Sequence, residues 1–225
     1  MKPRTTLAKT TLTDGSPLTL IEHDGRKSME IHGQQICGSI TAAAEEELAR
    51  LACAPFRPAR QPKILLLGLG LGRMLSTVTQ EIRAKRASFL VAEAIPELAE
   101  WHRKHLKGSP LLHDQRVSMV DEIDDNMLKP YRGSLHAILT HLDVALPGPR
   151  NRSWVEDKRW LATARDALQD GGLLAIAGSR RHSGIHRLLQ RAGFEIAEHE
   201  VAISPNARRA RMMPIWLGRK GRTSR

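Results

Sequence analysis

Cysteine is scarce in this chain. Only Cys37 and Cys53 occur in 225 residues, with no CxxC spacing, so neither a disulfide framework nor a thiolate metal site is expected. A reducing, cytoplasmic setting follows from the same scarcity. Aromatic residues make up 4% of the chain, too few for a basic groove interleaved with stacking rings. No apolar run approaches the roughly 20 residues that span a bilayer, and the start Met1-Lys2-Pro3-Arg4 lacks the apolar stretch of a signal peptide. No membrane association is expected. Acidic residues are in deficit, 24 against 35 lysines and arginines, leaving a net charge of +11. That surplus raises the prospect of an anionic partner such as nucleic acid. Much of it comes late, in Arg180-Arg181, Arg208-Arg209-Ala210-Arg211 and Arg219-Lys220-Gly221-Arg222, which equally describes a solvated basic face ending in a tail.

What the chain does contain is a glycine signature. Lys63-Ile64-Leu65-Leu66-Leu67 is a continuous aliphatic run, the pattern of a parallel strand buried on both faces. Gly68, Gly70 and Gly72 follow at once, allowing a tight turn and close approach to a ligand at a helix N-terminus. About twenty residues on, the run Phe89-Leu90-Val91-Ala92 ends in Glu93, where a nucleoside ribose finds its hydroxyl acceptor. The dinucleotide fingerprint has glycine at the sixth position; here Arg73 stands there. The resulting G-x-G-x-G spacing suits an adenosyl sulfonium rather than a pyrophosphate.

Around this signature the chain alternates strands and helices, which predicts a mostly parallel sheet. The pattern predicts strands at 63–67, 87–93, 116–120, 135–140, 172–177, 194–203 and 212–217, with helices at 72–85, 96–106, 154–169 and 183–192. Asp170-Gly171-Gly172 is expected to stop the third of these helices. No helix separates the last two strands, so they are expected to pair antiparallel, the ending that distinguishes the class I S-adenosylmethionine-dependent fold. Before residue 62, alternation around Asp24-Gly25 predicts a β-hairpin, and 41–53 a helix. The expected organisation is an N-terminal hairpin and helix region over 1–56, a Rossmann-like α/β domain over 62–218, and a basic tail over 219–225.

Several segments together resemble the spermidine synthase family, and more closely its small bacterial branch. They are Ser28-Met29-Glu30-Ile31-His32-Gly33 followed by Glu45-Glu46-Glu47-Leu48, the glycine turn, Val91-Ala92-Glu93-Ala94-Ile95-Pro96, Asp114-Gln115-Arg116-Val117, Asp170-Gly171-Gly172-Leu173-Leu174, Arg191-Ala192-Gly193-Phe194-Glu195 and Pro214-Ile215-Trp216-Leu217. The resemblance runs from about Met29 to Leu217. It implies a doubly wound class I sheet with a small N-terminal β region. It also implies a site for S-adenosylmethionine or its decarboxylated form, without a metal, and aminopropyl transfer to a small amine. By analogy it implies a homodimer as well.

Residue by residue, the resemblance places Gly68, Leu69, Gly70, Gly72, Glu93 and Ala94 at the adenosyl ligand. Asp121, Glu122 or Asp124 stands where the family holds the adenine amino group, although such acids also suit a helix N-terminus. The family's aspartate-rich loop falls on Thr140-His141-Leu142-Asp143. His141 replaces the first aspartate and Asp143 matches the second acid, so these two are the candidate catalytic residues. A neutral imidazole with a pKa near 6.5 suits a general base. Two other functions share the fold: a methyltransferase, on RNA given the basic charge, and a nucleoside-binding protein without catalysis. Arg73 or Lys63 is the candidate partner for the carboxylate of an undecarboxylated ligand.

Overall fold

A computed structural model describes residues 3–106, 110–120, 126–142, 153–178, 182, 184–202 and 211–221. The first four strands, β1 (Thr5–Thr11), β2 (Pro17–His23), β3 (Arg26–Ile31) and β4 (Gln34–Cys37), form one antiparallel sheet in sequential order. Asp24-Gly25 turns β2 into β3 with both residues at positive φ, and His32-Gly33 does the same between β3 and β4; this is the pair of left-handed residues that a two-residue hairpin turn needs. The expected hairpin is therefore a four-stranded meander. β1 carries few apolar residues and gives little alternation to read.

Helix α1 (Ser39–Cys53) leads into β5 (Lys63–Leu67), α2 (Arg73–Glu81), β6 (Ser88–Ala92), α3 (Pro96–His105), β7 (Val117–Met119) and β8 (Leu135–His141). The chain continues through α4 (Lys158–Ala167), β9 (Leu168–Ala177), α5 (Ile185–Arg191), β10 (Phe194–Ala202) and β11 (Met212–Lys220). These seven strands form one sheet in the order β10-β11-β9-β8-β5-β6-β7. Strands β7, β6, β5, β8 and β9 are parallel, while β11 runs antiparallel to both β9 and β10. This is the doubly wound class I architecture with its antiparallel ending.

Both faces of the sheet are covered, as the continuous apolar strands require. On one face Ile64, Leu66, Val91, Leu139 and Ala175 pack with α2 and with Ala44, Leu48, Ala49 and Ala52 of α1. On the other, Leu65, Leu67, Ile138, Leu174 and Ile176 pack with Trp160, Leu161 and Ala164 of α4 and Leu189 of α5. So α1, which the sequence groups with the hairpin region, is part of the sheet's own covering layer. The small sheet makes a third core, in which Leu18, Leu20, Met29 and Cys37 meet Leu98 and Trp101 of α3, with Leu71 of the glycine turn against them. Each large side chain buried this way contributes about 1.5–3 kcal/mol.

All four predicted helices are shorter than expected, and for α2 and α4 the contacts show why. α2 stops at Glu81 because Ile82 turns extended to reach the core, and the Arg116 guanidinium takes the carbonyls of Ile82 (2.7 Å) and Thr79 (3.3 Å) that the helix end leaves over. The expected helix over 154–169 begins as a 3-10 turn, Trp154–Glu156. The α-helix proper starts when the Asp157 carboxylate accepts from the amides of Arg159 and Trp160. Asp170-Gly171-Gly172 does not stop that helix, which ends at Ala167; it lies inside β9 as a bulge, between the pairs Leu135↔Leu168 and Ala137↔Leu173. Gly171 sits at φ +77°, and a Cβ on Gly172 would meet the Gln169 carbonyl at 2.9 Å. β11 runs through Lys220, past the expected start of the tail. Gly171→Ala should cost about 1–2 kcal/mol, the left-handed penalty of an L-residue, read as a lowered urea midpoint; an unchanged midpoint would contradict the bulge.

Candidate functional site

The parallel register sets three candidate residues on one level. Leu67 pairs with Ala92 on one side and with Thr140 on the other, so Gly68, Glu93 and His141 each follow the same rung at the carboxyl ends of β5, β6 and β8. The helices that follow β5 and β8, α2 and α4, cover opposite faces of the sheet, and the carboxyl ends between such strands are where an open α/β sheet forms a ligand crevice.

The turn out of β5 depends on its glycines. Gly68, Gly70 and Gly72 have φ of +88°, +50° and +77°, values that an L-residue adopts at a cost of about 1–2 kcal/mol each. The Gly68 amide donates to the Ala92 carbonyl at 2.8 Å, the Gly72 amide to the Leu69 carbonyl at 2.8 Å, and Ser76 to the Gly72 carbonyl as α2 begins.

Glu93 closes the turn. Its Oε2 accepts from the Leu69 amide at 2.7 Å and its Oε1 from the Ile95 amide at 2.9 Å. A carboxylate offers about four lone-pair sites, and the Leu69 and Ile95 amides take two of them. Burial is the dominant influence and pushes the Glu93 carboxyl above the ordinary carboxylate range, against the pull of the Leu69, Ile95, Ala94 and Gly70 amides.

Two further groups support the turn that the sequence reading did not assign. His102 on α3 is buried, and its Nε2 lies 2.9 Å from the Gly70 carbonyl, to which it donates; burial lowers its pKa, keeping it neutral. Its signal was present, since Leu98, Trp101 and His102 lie at i, i+3 and i+4 and all face the core. Glu45 on α1 is 2% exposed, with the Cys37 thiol 3.8 Å from Oε1. Cys37 in turn accepts from the Leu71 amide, and burial, with Glu45 next, holds its thiol far above the usual range. The Cys53 thiol is pushed up to about 12 by burial. Both cysteines are buried and unbridged, and such thiols are inert.

His141 ends β8 wholly buried, opposite Ala177, and the next amide, Leu142, donates to the Ala177 carbonyl at 2.9 Å. Asp143, Asp121, Glu122 and Asp124 lie outside the described residues. Of the two expected carboxylate partners, Lys63 is misplaced. It begins β5, at the opposite end of the strand from the turn, with its ammonium 5.8 Å from the Tyr131 ring centre. Arg73 does border the turn, exposed, with Nη1 3.5 Å from Glu46 Oε1. Among the described residues no three His, Cys, Asp or Glu side chains group as metal ligands, and no helix is long and apolar enough to cross a membrane.

A search of protein families and of curated proteins finds no match. Solved structures do match. A spermidine synthase from Thermotoga maritima superposes with a TM-score of 0.72 at 15% identity, over 96% of this chain and 72% of that one. The fold is the spermidine synthase fold. A spermidine synthase in complex with the transition-state analogue AdoDATO gives 0.72 at 16% identity over the same shares. A precorrin-6y C5,15-methyltransferase from Geobacter metallireducens gives 0.53 at 10% identity, over 77% of this chain and 88% of that one.

Glu93→Ala strands the Leu69 and Ile95 amides and should destabilise the protein by about 1–3 kcal/mol in a denaturant titration. Glu93→Gln isolates the charge. A carboxyl whose folded pKa is raised costs stability above that pKa, and the cost is relieved as pH falls through it. The wild type should therefore gain on the Gln variant on acidification; parallel pH profiles would show the carboxyl is not buried.

Proposed function

We propose that this protein is a transferase that binds an adenosyl sulfonium, S-adenosylmethionine or its decarboxylated form, at the glycine turn, and moves an aminopropyl group to a small amine. The observation that carries the ligand is Glu93. It is a half-buried carboxylate at the rung from which the three-glycine turn departs, which suits a pair of ribose hydroxyls. The aminopropyl reading is supported by extent: the spermidine synthase superposition spans 96% of the chain and that of the methyltransferase 77%. A small sheet beside the turn accordingly belongs to the match. The neighbour solved with AdoDATO fits the same ligand class.

The chemistry asks little of the protein. The amine lone pair attacks the carbon bound to the sulfonium, the C–S bond breaks with its electrons going to sulfur, and the nitrogen loses a proton. The protein holds the two in line and receives that proton. In this proposal Asp143 orients the ammonium ends of the acceptor and His141, as a neutral imidazole, takes the proton. In this proposal the carboxylates of Glu93 and Asp143 offset the repulsion a cationic acceptor meets from a body of net charge +11. Methyl transfer on the same site is the second reading, supported by the methyltransferase superposition.

Calorimetry with both sulfonium ligands tests the site. At least one should bind, and Glu93→Ala should weaken it by about 1–3 kcal/mol, the cost of unpaired buried hydroxyls; binding of neither would overturn the proposal. Product analysis with diamines, other amines and RNA then separates the two transfers. Asp143→Asn should lower kcat by about 10²-fold, the scale of a misplaced reactant, with affinity for the sulfonium ligand nearly unchanged. Equal turnover would remove Asp143 from the reaction.

A further inference from the structure

The edge of the sheet opposite the crevice has a charge pattern of its own. Strands β8, β5, β6 and β7 are parallel neighbours, so the connectors entering β5, β6 and β7 lie side by side along their amino ends. Those connectors carry Arg57 and Arg60, then Arg83, Lys85 and Arg86, then Asp114 and Arg116. The two acids are already used. Glu81 at the end of α2 holds Arg57, whose Nε is at 2.9 Å. Asp114 holds Arg116, whose Nη2 is at 2.7 Å. Arg116 is further fixed by the Thr79 and Ile82 carbonyls and by lying 5.0 Å over the Phe89 ring. Arg60, Arg83, Lys85 and Arg86 are exposed, and among the described residues none of them is in an ion pair. A groove of about 540 Å³ runs between Arg83 and Lys85 on one wall and Asp114, Gln115 and Arg116 on the other, with Thr79 also lining it.

We propose that this amino-end edge docks the phosphodiester backbone of a double-stranded nucleic acid. Four cations outside any ion pair among the described residues stand on adjacent connectors, two of them (Arg83 and Lys85) lining a groove with a rigid wall. They match a row of phosphates, whose contacts supply affinity without reading sequence. Beside the groove, among the described residues, the aromatic ring is Phe89, fully buried beneath Arg116, so the groove itself has no platform on which unpaired bases could stack. Lipid is disfavoured because the exposed large apolar side chains among the described residues are Met119 and Met212, neither on these connectors, and a polybasic surface without an apolar anchor holds a bilayer weakly. Docking here leaves the crevice at the carboxyl ends open, so it is independent of the proposed transfer reaction.

The test compares two variants with the same change of charge. One carries Arg60→Glu, Arg83→Glu, Lys85→Glu and Arg86→Glu. The other carries Lys158→Glu, Arg159→Glu, Arg187→Glu and Arg191→Glu, exposed positions on α4 and α5. Fluorescence anisotropy with a duplex RNA of roughly 20 base pairs, long enough for the ~16 that duplex-binding domains span, gives affinity and its salt dependence. The edge variant should bind at least about tenfold more weakly than wild type. Its slope of log K against log salt should be shallower by about 3–4, at roughly 0.9 for each phosphate the variant no longer neutralises. The control variant should stay within about threefold of wild type. Equal weakening in both variants would reduce the effect to net charge and overturn the proposal. Weakening in neither, or wild type that binds phosphatidylserine vesicles but not the duplex, would overturn it too. Circular dichroism checks folding; if the edge variant is unfolded, Gln at the same four positions replaces Glu and is judged by the same criteria.

Discussion

The carboxylate of Glu93 joins the two parts of the molecule that matter most. It sits at the end of β6 and holds the Leu69 amide of the turn that leaves β5, so the sheet and the glycine turn are fixed to each other by one half-buried group. The glycines make the turn sterically allowed, and Glu93 with His102 makes it a single conformation. Without such bonds a segment with three left-handed glycines would lose much of its entropy on ordering with little to offset it.

From that junction the rest of the architecture follows. The turn's Leu71 packs into the core formed by the small sheet and α3, and Cys37 beside it reaches Glu45 on α1. The N-terminal sheet is thus not an appendage loosely tied to an α/β domain: its strands, the first helix and the glycine turn are packed against one another. Charge is segregated on the same scaffold. The buried Glu45 and the half-buried Glu93 lie by the turn, while three arginines and a lysine that form no ion pair among the described residues line the opposite edge.

Much was legible because it is encoded at short range. The aliphatic strand at 63–67, the glycine spacing, the acid at Glu93, the hairpin at Asp24-Gly25 and the antiparallel final pair each depend on local pattern and steric rules. Less legible were features whose cause lies elsewhere in the fold. α2 ends early because Ile82 is needed in the core and Arg116, from another connector, takes its last carbonyls. Asp170-Gly171-Gly172 has the composition of a helix stop, yet the pairing with β8 makes it a bulge. Lys63 was a candidate ligand partner by charge alone, and the direction of β5 puts it at the wrong end.

By itself the sequence determined the class of the fold and the backbone of the glycine turn, because strand periodicity and positive-φ glycines are local properties of the chain. Only the tertiary structure decided that Gly68, Glu93 and His141 share one rung, that His102 and Glu45 stand behind the turn, and that the unpaired cations gather on the far edge. Those are facts of parallel register, which brings together residues 24 to 73 positions apart in the chain and sets the two ends of every strand on opposite sides of the molecule.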